Sequence, residues 1–175
     1  MKKNFLVIGL GEFGKSVAKT LYKNKATVMA IDSNEELIKQ ALNEGILDEA
    51  VILDATDEIA LKNVVKDDFD MAFVSVGDNI QASILITLHL KELGIDHIIC
   101  KAVNHTQGKV LEKIGATQVV FPEECMGEKI AYSMLHPTII EYFKFSEDYF
   151  IYEVKIPKSY VNKSLMELNL RHKYE

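Results

Sequence analysis

A doubly wound α/β fold with a six-stranded parallel sheet is predicted by three features of the chain. Short apolar strands alternate with amphipathic helical segments, a G-x-G-x-x-G turn follows the first strand, and an acid closes the second. Phe5 to Ile8 is apolar and partly β-branched, as a strand buried on both faces requires. Gly9, Gly11 and Gly14 follow, and Gly14, Val17, Ala18 and Leu21 then recur at i, i+3, i+4 and i+7. The glycines therefore lie where a strand turns into a helix. Ala26 to Ile31 reads as the second strand and ends in Asp32, 18 residues beyond Gly14.

The remaining elements follow the same plan. Asn34 to Glu44 carries Leu37, Ile38, Ala41 and Leu42 on one face, with Asn34 as N-cap and Gly45 as stop. Glu49 to Leu53 is a third strand, followed by Asp54-Ala55-Thr56 and a short helix over Asp57 to Asn63. Phe69 to Val76 is a fourth strand, which Gly77-Asp78-Asn79 turns into a long helix over Ile80 to Leu93. That helix is apolar almost all round, more than one sheet face requires, and its second stripe suits a subunit contact; His89 is expected at its surface. His97 to Lys101 is a fifth strand, Thr106 to Ile114 a helix stopped by Gly115, and His105 belongs to the loop before it. Gln118 to Phe121 is a sixth strand, and a helix from Glu124 to about Leu135 ends before Pro137. The expected strand order is 3-2-1-4-5-6, the Rossmann arrangement.

After Pro137 the alternation stops. Residues 1–136 are read as one domain and 137–148 as an aromatic crossover and dimerisation segment. Residues 149–175 are read as the beginning of a small carboxyl-terminal lobe, incomplete in itself, with a strand over Tyr149 to Ile156 and a short helix over Asn162 to Leu168.

Composition narrows the class. The chain has 175 residues, 48% of them apolar, and a net charge of −6, which argues against general attraction to nucleic acid. Cys100 and Cys125 form no CxxC and read as reduced thiols of a cytoplasmic protein. No stretch reaches the roughly 18 apolar residues of a membrane span, so no direct membrane insertion is expected, and the amino-terminal residues show no cleavage site of a signal peptide.

The predicted topology gathers the chemistry. Gly9 permits a tight turn, Gly11 lets a phosphate approach the backbone, and Gly14 lets the helix pack on the strand. The helix N-terminus offers free N–H groups to an anion. Asp32 is placed to accept ribose hydroxyls, and Asp54, Gly77 and Lys101 close other strands on the same rim.

The chain resembles the RCK (regulator of K⁺ conductance, TrkA-N) domain of KtrA/TrkA-type potassium-uptake proteins. The resemblance rests on VIGLGEFGKSVAKTL, AIDSNEE, LDATDE, VSVGDNIQASILITLHLKELG and CKAVNHTQGKVLEKIGATQVVFPEECMGEKIA, over about residues 4–145. It implies a cytoplasmic regulatory subunit at the inner face of the plasma membrane. Such a subunit binds an adenine nucleotide (ATP, ADP, AMP or NAD(H)), gates a KtrB/TrkH-type membrane potassium-translocating subunit, and forms homodimers that build an octameric ring. Carried over residue by residue, Gly9, Gly11, Phe13 and Gly14 surround the phosphates, and Asp32 with Ser33 takes the ribose. Asp54, Ala55 and Thr56 lie by the adenine, Gly77, Asp78 and Asn79 near the phosphates or second ribose, and Lys101 beside the nucleotide. Glu123 matches an acid that reaches a divalent cation in some members. Glu12 departs from the pattern: several ATP-binding members carry arginine there, and a carboxylate beside the pyrophosphate favours ADP, AMP or NAD(H) over a triphosphate.

Two other readings stand beside this one. An NAD-dependent oxidoreductase, or its cofactor-binding domain, would need a substrate domain and an acid/base near the nicotinamide. The five histidines (89, 97, 105, 136 and 172) form no cluster in the sequence. A scaffold that has lost its ligand is disfavoured by the intact glycines and Asp32.

Overall fold

A computed structural model of the chain describes residues 3–65, 69–144 and 149–174; positions 145–148 of the expected crossover segment and the terminal positions 1, 2 and 175 lie outside them. The described chain separates into two compact units, 1–123 and 124–175. The division falls inside a helix, whereas the sequence-based boundary was drawn at 136.

The first unit is the α/β layer structure expected. Its strands are β1 (Asn4–Ile8), β2 (Thr27–Asp32), β3 (Glu49–Ile52), β4 (Met71–Val74), β5 (Ile98–Lys101) and β6 (Gln118–Val120). They form one parallel sheet in the order β3-β2-β1-β4-β5-β6. Between them run α1 (Glu12–Lys23), α2 (Glu35–Asn43), α3 (Glu58–Val64), α4 (Ile80–Glu92) and α5 (His105–Ile114). The order reverses between β1 and β4, so the crevice at their carboxyl ends lies at the topological switch point.

The apolar character of β1 follows from its two buried faces. Leu6 and Ile8 join a cluster with Leu61, Val74, Ile86, Leu90, Ile98 and Leu111. Val7 points the other way, with Leu10, Ala18, Val28, Ala30, Ile38 and Ala41. The helices start where local chemistry starts them. Asn34, Asp57, Asn79 and Asn104 each accept a backbone N–H from the first turn of α2, α3, α4 and α5. Gly45 (φ +61°) and Gly115 (φ +128°) end α2 and α5 in conformations that disfavour other residues.

Two sequence expectations are corrected, and one segment gains a secondary structure. His89 is buried rather than exposed, because α4 buries a broad arc, Ala82, Ser83, Ile86, Thr87, His89 and Leu90, and His89 falls three residues after Ile86 on it. His105 opens α5 instead of lying in the preceding loop, since the cap is Asn104. The aromatic stretch after Pro137 contains a strand, β7 (Ile139–Lys144), which pairs antiparallel with β8 (Phe150–Val154). The other face of α4 leaves Ile80 42% and Leu88 37% exposed.

The second unit comprises the rest of α6 (Pro122–Leu135), the β7–β8 hairpin, a 3₁₀ turn at Lys158–Tyr160, and the short helices α7 (Leu165–Leu168) and α8 (Leu170–Tyr174). The Tyr132 hydroxyl donates to that of Tyr152 or accepts from it at 3.1 Å, the Tyr132 and Tyr142 rings lie 4.4 Å apart, and Lys129 pairs with Glu141. None of the unit's described residues is buried. No described helix is long and apolar enough to cross a membrane.

Cys100 on β5 is fully buried with its sulfur 3.2 Å from Thr87 Oγ1, and burial pushes its thiol pKa up to about 11. Cys100 is therefore expected to resist alkylation at pH 8 in the folded protein and to react on unfolding, as peptide mass spectrometry would read. Rapid labelling of native Cys100 would contradict this packing.

Candidate nucleotide site

Two cavities open on the rim formed by the carboxyl ends of the strands. The first, about 300 Å³, is lined by Gly9, Asp32, Ser33, Asp54, Ala55, Thr56 and Asn79, together with apolar side chains that include Leu53, Val76 and Ile86. The second, about 480 Å³, is lined by Gly11, Glu12, Phe13, Gly77, Asp78, Asn79, Lys101 and Glu123, with Ser75 and Val76. Val76 and Asn79 line both, so the cavities are neighbours across the turn that leaves β4.

Each glycine of the turn has a separate physical task. Gly9 has φ +94°, and a Cβ there would lie 3.0 Å from the Ser75 carbonyl. At Gly14 a Cβ would lie 1.9 Å from the Gly9 carbonyl oxygen, so only glycine lets α1 settle on the end of β1. Gly14 lines neither cavity, and its task is packing. At Gly11 a Cβ would meet nothing within 4 Å, and this residue caps α1 with no side-chain hydrogen bond. The first-turn N–H groups of α1 therefore face the second cavity without a side-chain cap, the arrangement that receives phosphate oxygens.

Asp32 ties two backbone segments together. Its Oδ2 accepts from the Leu10 N–H at 2.7 Å, and its Oδ1 from the Asn34 N–H at 2.8 Å. One carboxylate thus fixes both the glycine turn and the start of α2. An ionised carboxylate has about four lone-pair sites, so it retains capacity for ribose hydroxyls. Asp54 is held by Thr56, whose hydroxyl donates at 2.7 Å and whose N–H donates at 3.0 Å, and these bonds lower its pKa. The apolar walls Ile8, Ile31, Leu53, Val76, Ala82 and Ile86 form a slot suited to a flat heteroaromatic ring.

The second cavity is acidic. Among the described residues Lys101 is its only lining cation, against Glu12, Asp78 and Glu123. The Lys101 Nζ lies 2.6 Å from Glu123 Oε1, and this bond holds the Glu123 carboxyl below the usual range. Among the described residues no group of three or more His, Cys, Asp or Glu side chains is arranged to hold a metal ion.

The structure thus brings fourteen of the fifteen residues singled out from the sequence to the walls of these cavities and leaves Gly14 beneath them. Sequence reasoning missed Ser75 and Val76 and the apolar slot. The available signal was position: Ser75 and Val76 follow β4, and Ala82 and Ile86 sit one turn apart in the first turns of α4.

A parallel sheet with its order reversed at a glycine turn, an uncapped helix start and a carboxylate at the end of β2 define a Rossmann-type nucleotide-binding fold. Within that class the chain belongs to the TrkA-N domain family, which it matches over residues 5–122. It is 42% identical over 174 residues to the Ktr system potassium uptake protein C of Bacillus subtilis, spanning 99% of this chain and 78% of that protein. It is 35% identical over 168 residues to the Ktr system potassium uptake protein A of Vibrio alginolyticus, spanning 96% and 76%. In fold it is similar to the NAD(P)-binding domain of an exopolyphosphatase-related protein from Archaeoglobus fulgidus, with TM-score 0.65 and 20% identity over 77% of this chain and 98% of that one. The GsuK channel bound to NAD shares the fold with TM-score 0.63 and 16% identity, over 73% and 23%.

Gly14→Ala is expected to destabilise the protein by about 1–3 kcal/mol, as overpacking against backbone does. Gly11→Ala should cost only about 0.5 kcal/mol. Thermal unfolding of both variants checks the difference, and equal losses would show that the two glycines do not divide the work in this way.

Proposed function

We propose that the protein is a regulatory subunit of a potassium-uptake system, which binds an adenine nucleotide in the two cavities and changes the state of a membrane potassium-translocating subunit. The observation that carries this reading is the pair of neighbouring cavities at the switch point. An apolar slot with ribose acceptors adjoins an uncapped helix start, in a chain of the TrkA-N family. The adenine occupies the slot bounded by Leu53 and Ile86, with Asp54, Ala55 and Thr56 at its edge. Asp32 and Ser33 receive the ribose, and the phosphates lie against Gly11, Phe13 and the N–H groups of α1. Relatives named as potassium uptake proteins support the process.

The acidic second cavity favours ligands of low phosphate charge, ADP, AMP or NAD(H), over ATP. Glu123 can approach a divalent cation only in company with ligand phosphates. The subunit works at the cytoplasmic face of the membrane through its partner, as a homodimer able to build an octameric ring. The exposed apolar residues Ile80 and Leu88 of α4, and Ile140 and Phe143 of β7, supply surface for contacts between copies.

Two measurements test this reading. Calorimetry is expected to show NAD binding more tightly than NADP, because a 2′-phosphate would meet Asp32 with Glu35 and Glu36 close behind and no arginine. Asp32→Asn should weaken NAD or ADP by about 1.5–3 kcal/mol, the scale of a hydrogen bond to a charged group. NADP binding as tightly as NAD would overturn the assignment of Asp32. In light scattering at micromolar concentration the protein should be a dimer or larger, and a bulk monomer would refute the contact between copies.

A further inference from the structure

Resting on the nucleotide-binding reading above, we propose that Phe121 is a positioning residue of the site: seated on Gly108 and His105 of α5, it holds Glu123 at the second cavity while lining neither cavity itself.

The chain needs an anchor at this point. The Ala102 N–H donates to the Val120 carbonyl at 2.9 Å and ties the end of β6 to the residue after β5. β6 ends at Val120 and α6 starts at Pro122, so Phe121 alone joins them. Its ring lies over the first turn of α5. The His105 ring is 4.6 Å away between centroids and tilted by 47°. At Gly108 a Cβ would lie 2.7 Å from Phe121 Cζ and 3.2 Å from its Cε1, so the ring rests on bare backbone. A glycine inside a helix weakens that helix relative to alanine. α5 itself therefore gains nothing from Gly108, and the glycine serves the ring of Phe121.

A stiff link carries the seat to Glu123. The residue before a proline is held in extended backbone, and the proline ring fixes its own φ. Phe121-Pro122 thus leaves little freedom between the seated ring and Glu123, the next residue. The Glu123 side chain cannot hold this place by itself. It is 68% exposed where it meets Lys101 at 2.6 Å, and an ion pair that open to water contributes little. Its position at the cavity wall beside Gly77, Asp78 and Lys101 is therefore set by the backbone that carries it, and that backbone is set by Phe121.

Calorimetry in Mg²⁺ reads the placement of Glu123, with adenosine, which fills only the first cavity, and ADP, whose phosphates reach the second. Gly108→Ala, which drives a methyl into the Phe121 ring, is expected to lower the ratio of ADP to adenosine affinity about three- to tenfold, within the range by which residues that touch no ligand modulate a site. Glu123→Gln should lower the ratio as well, and Gly108→Ala should add nothing on that background. Phe121→Leu removes both clashing carbons, so Gly108→Ala with Phe121→Leu should recover the ratio of Phe121→Leu alone. His105→Ala takes away one side of the seat without a clash and should lower the ratio too, and it decides the matter if Gly108→Ala does not fold. Adenosine affinity should stay at the wild-type value throughout. Without ligand, hydrogen exchange at the Glu123 and Glu124 amides should rise in Gly108→Ala and His105→Ala.

A wild-type ratio in Gly108→Ala, His105→Ala or Glu123→Gln would overturn the positioning role while leaving nucleotide binding intact. So would a loss that persists in full on the Glu123→Gln background, or one that Phe121→Leu does not relieve. Failure of every form to bind either adenosine or ADP would overturn the nucleotide-binding reading and the positioning role with it.

Discussion

The hydrogen bond from the Leu10 N–H to Asp32 Oδ2, 2.7 Å long, ties the glycine turn after β1 to the end of β2. Two neighbouring constraints act on the same few atoms. The Gly9 N–H donates to the Ile31 carbonyl at 2.8 Å, and Gly14 lies so close to the Gly9 carbonyl that no Cβ fits. Together they fix where α1 begins and which way its N-terminus points. The same carboxylate also accepts from Asn34, so the start of α2 is fixed relative to the start of α1. The Asp32 carboxylate is held by backbone donors of the chain itself, so the geometry of the turn does not depend on a ligand. Preorganisation of this kind spares the ligand the entropy of ordering the site.

At the second cavity the groups able to attract an anion are backbone N–H groups at the start of α1 rather than a cluster of cations. The wall of the second cavity carries three carboxylates and one ammonium, and that ammonium is already paired. A site rich in lysine or arginine gains affinity with every added phosphate. Here an added negative charge would meet Glu12, Asp78 and Glu123, so the wall opposes rather than rewards a growing anionic charge.

Much of this was legible in the sequence because it rests on local, directional chemistry. Glycine spacing, Asn and Asp caps and β-branched apolar runs report the conformation of their own segments, and the doubly wound plan follows from their alternation. Residues placed at the ends of strands consequently met on one rim. What was not legible depends on contacts between distant segments. The hydropathy of α4 could not say how wide an arc is buried, and His89 was assigned to the wrong side of it. The aromatic run after Pro137 has no partner within itself, and only pairing with Phe150–Val154 makes Ile139–Lys144 a strand. The ion pair of Lys101 with Glu123 spans 22 residues and two elements, so neither residue signals the other. The apolar slot consists of ordinary core-forming side chains whose position at a crevice appears only in three dimensions.

The second unit makes the opposite use of its sequence. A two-stranded hairpin alone is marginal in water, and here it is supported by one helix and by tyrosine contacts, with no described residue buried. Met126, Ile130 and Met134 recur at every fourth position of α6, each about half exposed or more. On the hairpin Ile140, Phe143, Ile151 and Val154 are likewise left to solvent. Burying a side chain of this size contributes about 1.5–3 kcal/mol, so these residues represent stabilisation that the unit does not realise by itself. An element in that position has a stability set by what it meets. The first unit differs in having apolar clusters on both faces of its sheet. Among its described residues the second has no buried side chain, which puts its local stability at the low end of the range within the chain.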